Sequence, residues 1–151
     1  MAIPADNEEV CIQWLKTLDG IPSDGVGDRL PQDNSTWEAS GFITVEAISG
    51  SPDIYLPEKH PIFHLLFWAN RANSQRIPWG KANNLAELLI RACEVDNHTR
   101  YFGHLTMPDP YENVRVLSGY ALTEPRKVTA DEGRFACYEM DFQMHWCRVE
   151  E

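Results

Sequence analysis

The sequence predicts an α+β domain: an antiparallel or mixed β-sheet packed on one face by two helices, in the order α-β-β-α-β-β. Two kinds of periodicity carry this. From Phe135 to Val149 the chain alternates, with Ala136, Tyr138, Met140, Phe142, Met144 and Trp146 on one side and Glu139, Asp141, Gln143 and His145 on the other. A slip of one residue would move all six apolar side chains into water, so this strand and its facing are strongly specified. From Pro78 to Val95 the period is instead helical: Ala82, Leu85, Ala86, Leu89 and Cys93 form one stripe, with Lys81, Asn84 and Arg91 outside it.

The other elements follow in order. A first helix is predicted over Asn7–Leu18, where Val10, Cys11, Trp14, Leu15 and Leu18 recur at helical spacing. Asp6 and Glu9 give it the form of a capping box, and Gly20 with Pro22 stops it. Residues 19–40 then read as a long irregular loop, rich in Gly, Pro, Asp, Asn and Ser. Loops of this length tend to be functional, and Val26, Leu30 and Trp37 would pin this one to the core or to a partner. A strand is predicted over Phe42–Ile48, in which Ile43, Val45 and Ala47 alternate with Thr44 and Glu46. Ile62–Ala69 is apolar apart from His64 and reads as a central strand buried on both faces. Pro78 suits the first position of the second helix, since its missing N–H costs nothing there. Val114–Leu122 forms another alternating strand, and the charged stretch Pro125–Gly133 connects it to the last as a hairpin tip.

Composition bounds the function. The 151 residues fit one domain over 1–151, with 43% apolar and 24% charged residues, which excludes disordered and collagen-like chains. The longest apolar run, Ile62–Ala69, is far short of the roughly 20 residues that span a bilayer. The acidic start lacks a basic n-region followed by an apolar one, so the chain is expected to fold in a cytoplasm without a membrane partner. Cys11, Cys93, Cys137 and Cys147 have no C-x-x-C spacing. On one strand Cys137 and Cys147 would stand about 33 Å apart, beyond disulfide reach, so unpaired thiols are expected.

The formal charge of −10 is unevenly spread. Residues 1–60 hold 11 acids against 3 bases, whereas residues 61–100 hold 3 acids against 5 bases: Arg71, Arg76, Lys81, Arg91 and Arg100. The total argues against general nucleic-acid binding, which needs clustered cations. An acidic body with a basic middle suits head-to-tail association with further copies.

No constellation in the sequence meets the demands of catalysis. His98 and His104 lie near Asp96, Asp109 and Glu112, but their spacing fits no ligand pattern and the segment reads as a loop. His145 and Cys147, two apart on a strand, would stand nearly 7 Å apart, too far for a nucleophile and its base. Glu139 and Asp141 share a face at that same spacing and would serve as an acid–base pair only in a cleft. Gly25–Arg29 lacks the glycine spacing of a phosphate loop. Trp79 beside Gly80, at a helix start, suits a packing anchor or an anion site. No cofactor and no metal is expected.

Several landmarks occur in a recognisable order: Gly27-Asp28-Arg29-Leu30-Pro31, Trp37, Gly41-Phe42-Ile43-Thr44-Val45 and Gly50-Ser51-Pro52-Asp53-Ile54. Trp68-Ala69, Ser74 and Pro78-Trp79-Gly80-Lys81-Ala82-Asn83-Asn84-Leu85-Ala86-Glu87 follow. In this order and spacing the chain resembles the tail terminator proteins of long-tailed, non-contractile bacteriophages. The resemblance implies a structural, non-enzymatic virion protein that forms a hexameric ring, caps the tail tube, ends its polymerisation and joins tail to head. Its partners would be further copies, the tail tube protein and the head–tail connector or stopper, with genomic DNA sliding through an acidic lumen without specific binding. It would be assembled in the host cytoplasm and sit at the head-proximal end of the tail. Asp28, Arg29, Trp37, Arg71, Arg76, Trp79, Lys81 and Arg91 are the candidate interface residues. Another neck protein, such as a head completion or stopper subunit, is the nearest alternative. A small enzyme or ligand-binding domain built on the sheet face around Glu139 and Asp141 is a more distant one.

Overall fold

The computed structural model describes residues 2–31, 41–70, 79–128 and 135–149. Its long elements are helix α1 (Asn7–Leu15), strands β2 (Phe42–Pro52) and β3 (Glu58–Asn70), helix α2 (Trp79–Ala92), and strands β5 (Val114–Ala121) and β7 (Phe135–Arg148). Short elements lie between them: β1 (Val26–Gly27), a 3₁₀ turn (Val95–Asn97), helix α3 (His98–Tyr101), β4 (Gly103–Leu105) and β6 (Arg126–Lys127). The class is α+β as expected, but the element order is not α-β-β-α-β-β. Three strands and a helix of two to four residues each were hidden, because such short pairings are set by tertiary neighbours rather than by periodicity.

The seven strands form one mixed sheet in the order β1-β2-β3-β7-β5-β4, with β6 also pairing β7. β1 runs parallel to β2 and every other pairing is antiparallel. The segment 19–40, expected to be irregular throughout, thus supplies an edge strand, and its remainder 32–40 lies outside the described residues. β7 is the organising strand. It pairs with β3 along one edge and with β5 and β6 along the other.

One face of the sheet is the core. Phe63, Leu65, Phe67 and Ala69 of β3 and Ala136, Met140, Phe142, Met144 and Trp146 of β7 are buried there. Val10, Cys11, Trp14 and Leu15 of α1 join Leu85, Ala86 and Leu89 of α2 in the same apolar cluster. Trp14 stacks on Phe142 and Phe102, at ring-centroid distances of 5.7 and 5.4 Å, and its indole N–H donates to the Tyr101 carbonyl. α1 starts as its sequence suggests, with Asp6 Oδ1 accepting from the Glu9 N–H at 2.8 Å. The reciprocal half of the capping box is missing, because Glu9 accepts from the Gln13 side chain instead. α1 ends at Leu15 rather than Leu18, and α2 at Ala92 rather than Val95.

The reading of β3 as buried on both faces is corrected. Ile62, His64, Leu66 and Trp68 point to the other face and are only half-buried. Composition misled here: an apolar strand shows that a face repels water, not that something within the chain covers it.

β2 and β3 are joined by the turn 53–57, and β3 stays paired with β7 down to Glu58 and Lys59, which stand opposite Cys147 and Trp146. A bulge between Ala47 and Ser49 shifts the register, and from Glu46 to Pro52 the strand β2 is exposed. Gly50 has φ +110°, and a Cβ there would meet the β3 backbone, with Pro61 Cα at 2.7 Å and the His60 carbonyl oxygen nearer still. Only glycine fits this close approach.

Candidate functional site

The outer sheet face carries a polar band that the register assembles from distant segments. Glu46 of β2, His64 of β3 and Asp141 of β7 stand in line across three strands. The His64 ring lies between two carboxylates, with Nδ1 at 3.0 Å from Asp141 Oδ1 and Nε2 at 3.2 Å from Glu139 Oε2. Arg126 of β6 reaches Glu139 Oε1 at 3.3 Å, and Thr123 Oγ1 accepts from the Asp141 N–H. The Glu139–Asp141 pair is therefore engaged by His64 and Arg126, an arrangement that ties β3, β6 and β7 together. Sequence reasoning missed His64, since 75 residues separate it from Glu139 and only the strand register brings them together.

Further along the face, the Tyr120 hydroxyl donates to Gln143 Oε1 at 2.8 Å, and Gln143 Nε2 donates to the His60 carbonyl at 3.2 Å. His145 does not pair with Cys147. Its ring faces His60 at a centroid distance of 4.3 Å, with Tyr120 beyond it at 5.8 Å. Burial and the neighbouring His60 lower the His145 pKa, against a weaker upward pull from Glu58. All four cysteines are free, and burial pushes the Cys93 and Cys137 thiols up to about 12.

At the other end of the band, Asp28, Arg29 and Leu30 lie beside Thr44, Glu46, His64, Leu66 and Trp68 around a groove of about 250 Å³. The Trp68 indole N–H donates to Thr44 Oγ1 at 3.1 Å. This groove brings together residues 28–30, 44–46 and 64–68, which the sequence places on three separate segments.

Among the described residues, the hairpin tip is the most exposed run of apolar side chains. Ile54, Tyr55 and Leu56 are consecutive and 85, 88 and 55% accessible; Leu56 lines a cavity with Ala5, Val114 and Trp146, while Ile54 and Tyr55 do not. Asp53 Oδ1 accepts from the backbone N–H of Tyr55 and Leu56, which fixes the turn beneath them.

The candidate interface residues fall in two places. Asp28 and Arg29 are exposed at the outer-face groove, whereas Lys81 and Arg91 are exposed on α2, across the sheet. Trp79 is a packing anchor: it meets Tyr138 edge-on at 5.8 Å, and Lys127 Nζ sits 4.8 Å from its ring centroid. Trp37, Arg71 and Arg76 lie outside the described residues, as do Ser74 and Pro78. His98 and His104 are not loop residues; they occupy α3 and β4, and both are exposed. Among the described residues no helix is long and apolar enough to cross a membrane.

No family model and no curated protein matches the sequence. Among solved structures, the chain is similar to one from the virion of a native gene transfer agent particle. The match has 10% identity and a TM-score of 0.49, and covers 95% of this chain and 87% of that one. At that identity and score the likeness carries no argument about role.

Proposed function

We infer that this chain is a structural protein of a phage-like virion, without enzymatic activity. More specifically, it forms a ring, hexameric by the resemblance set out above, that caps the head-proximal end of a tail tube, ends tube growth and joins tail to head. The observation that carries this reading is the turn between β2 and β3, whose Ile54, Tyr55 and Leu56 stand 85, 88 and 55% open to solvent. Three consecutive apolar side chains on an exposed turn are costly to leave in water, and burial against a neighbour would recover that cost.

Two further features support it. Part of the landmark set that carries the resemblance converges: Asp28, Arg29, Leu30, Thr44, Val45 and Trp68 surround one groove on the outer sheet face. Exposed cations on α2, Lys81 and Arg91, lie away from that groove, so opposite charges are displayed on different surfaces as a head-to-tail contact requires. In this reading Asp28, Arg29, Lys81 and Arg91, with Trp37, Arg71 and Arg76, belong to contacts with the next subunit or with the tube. Trp79 would act through packing of α2. The connector and the passing DNA meet the ring along its axis.

The test is to purify the chain and examine it by native mass spectrometry and negative-stain imaging, alone and with assembling tail-tube subunits of its particle. A sixfold ring and tubes of limited length are expected. A monomer that leaves tube growth unchanged overturns the reading. A ring that leaves the tubes growing would move the chain to another neck position.

A further inference from the structure

Metal-ligand chemistry gathers at the turn between β2 and β3. Asp53 follows β2, while Glu58 and His60 open β3, and one ligand atom from each lies within 4.8 Å of the other two. His60 Nε2 stands 3.6 Å from Glu58 Oε2. From the neighbouring strand β7, His145 presents its ring to His60 at 4.3 Å. Three segments thus converge two imidazoles and two carboxylates on one corner of the outer face.

We propose that Asp53, Glu58, His60 and His145 bind a divalent transition-metal ion of the Zn²⁺ type, which fastens the turn between β2 and β3 to β7. The donor set selects the ion. Imidazole nitrogen suits zinc, cobalt, nickel and copper, whereas calcium and magnesium take oxygen ligands almost alone. Four ligands meet the tetrahedral preference of zinc, and two carboxylates with two neutral imidazoles cancel its charge. With bonds of about 2.0–2.2 Å, tetrahedral donors stand about 3.4 Å from one another, so Asp53, Glu58 and His60 close the site with shifts on the order of 1 Å, and the His145 side chain turns to bring in a ring nitrogen as the fourth ligand. The groups are half-buried rather than locked in the core, and can make such shifts.

The ligand positions explain what the ion would do. Ile54, Tyr55 and Leu56 lie between Asp53 and Glu58 in the chain, so an ion held by both closes a short loop around the apolar tip. β3 is already paired with β7 beside the site, at Glu58↔Cys147 and Lys59↔Trp146, so an ion joined to His145 would fix the turn 53–57 onto that pairing. The clamp presents the tip in one orientation, whatever the tip docks on, and the inference therefore stands apart from the ring.

Isothermal titration of the chelator-treated chain with Zn²⁺, at about pH 7.5, tests it. One ion per chain is expected, with a raised melting temperature that Ca²⁺ and Mg²⁺ do not reproduce. Affinity should fall about tenfold or more in both His60→Ala and His145→Ala. In His104→Ala, which alters an exposed histidine on β4, it should be unchanged. Co²⁺ in the unaltered chain gives a reading that depends on no variant: visible bands of tetrahedral intensity are expected, and His60→Ala should lose them. Failure to bind at up to about 100 μM Zn²⁺, equal binding by the His60 variant, or an octahedral Co²⁺ spectrum would each overturn the proposal.

Discussion

His145 lies on the strand face that the sequence assigned to solvent, yet it is half-buried, with the rings of His60 and Tyr120 beside it. Burial and the proximity of His60 disfavour its protonated form, and Glu58 offsets this only in part. An unfolded chain would bind the proton near pH 6.5. Because the folded pKa lies lower, the unfolded state binds more protons in the interval between the two values. Stability at this group is therefore intact above about pH 6.5 and is lost as the pH falls through the folded value. Replacing His145 by Gln should flatten the acid-side decline in melting temperature relative to the unaltered chain, with little change at pH 8. Parallel declines in the two proteins would show that the ring does not feel its neighbours in this way. None of this was legible in the sequence, which sets His145 beside Cys147, and beside Glu139 and Asp141 on the same face, but not beside His60. Partners two residues away on a strand are visible in a sequence, but partners across a strand pair depend on register.

At the scale of elements, legibility followed length and coverage. β7 was read almost to the residue, because fourteen residues of alternation leave only one way to face a core. α2 was read equally well from its stripe, all of which is buried except Cys93 at its edge. β3 was found but misjudged, since His64, Leu66 and Trp68 belong to a face that the chain's own elements leave half-open. The hairpin was underestimated on both strands: β2 was expected to end at Ile48 and β3 to begin at Ile62, but they run to Pro52 and from Glu58. Its geometry turns on Gly50, whose positive φ and contact with the β3 backbone leave no room for a side chain. Gly50→Ala should destabilise the fold by about 1–3 kcal/mol, the usual range for strain of this kind. Urea unfolding measures this directly. A loss well under that range would mean that β2 bends away from β3 here at little cost.

For the molecule as a whole, the balance of charge and apolar surface suits a subunit better than a solitary domain. The apolar core lies on one face of the sheet under α1 and α2, so the tip residues contribute little to folding the free chain. Substituting surface residues of this kind usually changes stability by within about 0.5 kcal/mol. Burying such side chains in an assembly is worth roughly 1.5–3 kcal/mol each, and a closed ring repeats the contact at every subunit. These two magnitudes separate the readings. Ile54→Ser combined with Tyr55→Ser should leave the melting temperature of the monomer within a degree or two, since roughly 1 kcal/mol shifts a domain of this size by only a few degrees. The same pair should shift the monomer–ring equilibrium toward monomer by a factor of about ten or more per contact, because each 1.4 kcal/mol is tenfold. Sedimentation velocity over a concentration series would show the shift. If the double variant forms rings as readily as the original, the tip does not lie in the subunit contact, and tube binding by the same variant becomes the measurement that decides its role. If instead the monomer melts several degrees lower, the tip serves the fold, and the apolar turn loses its claim to be a docking surface.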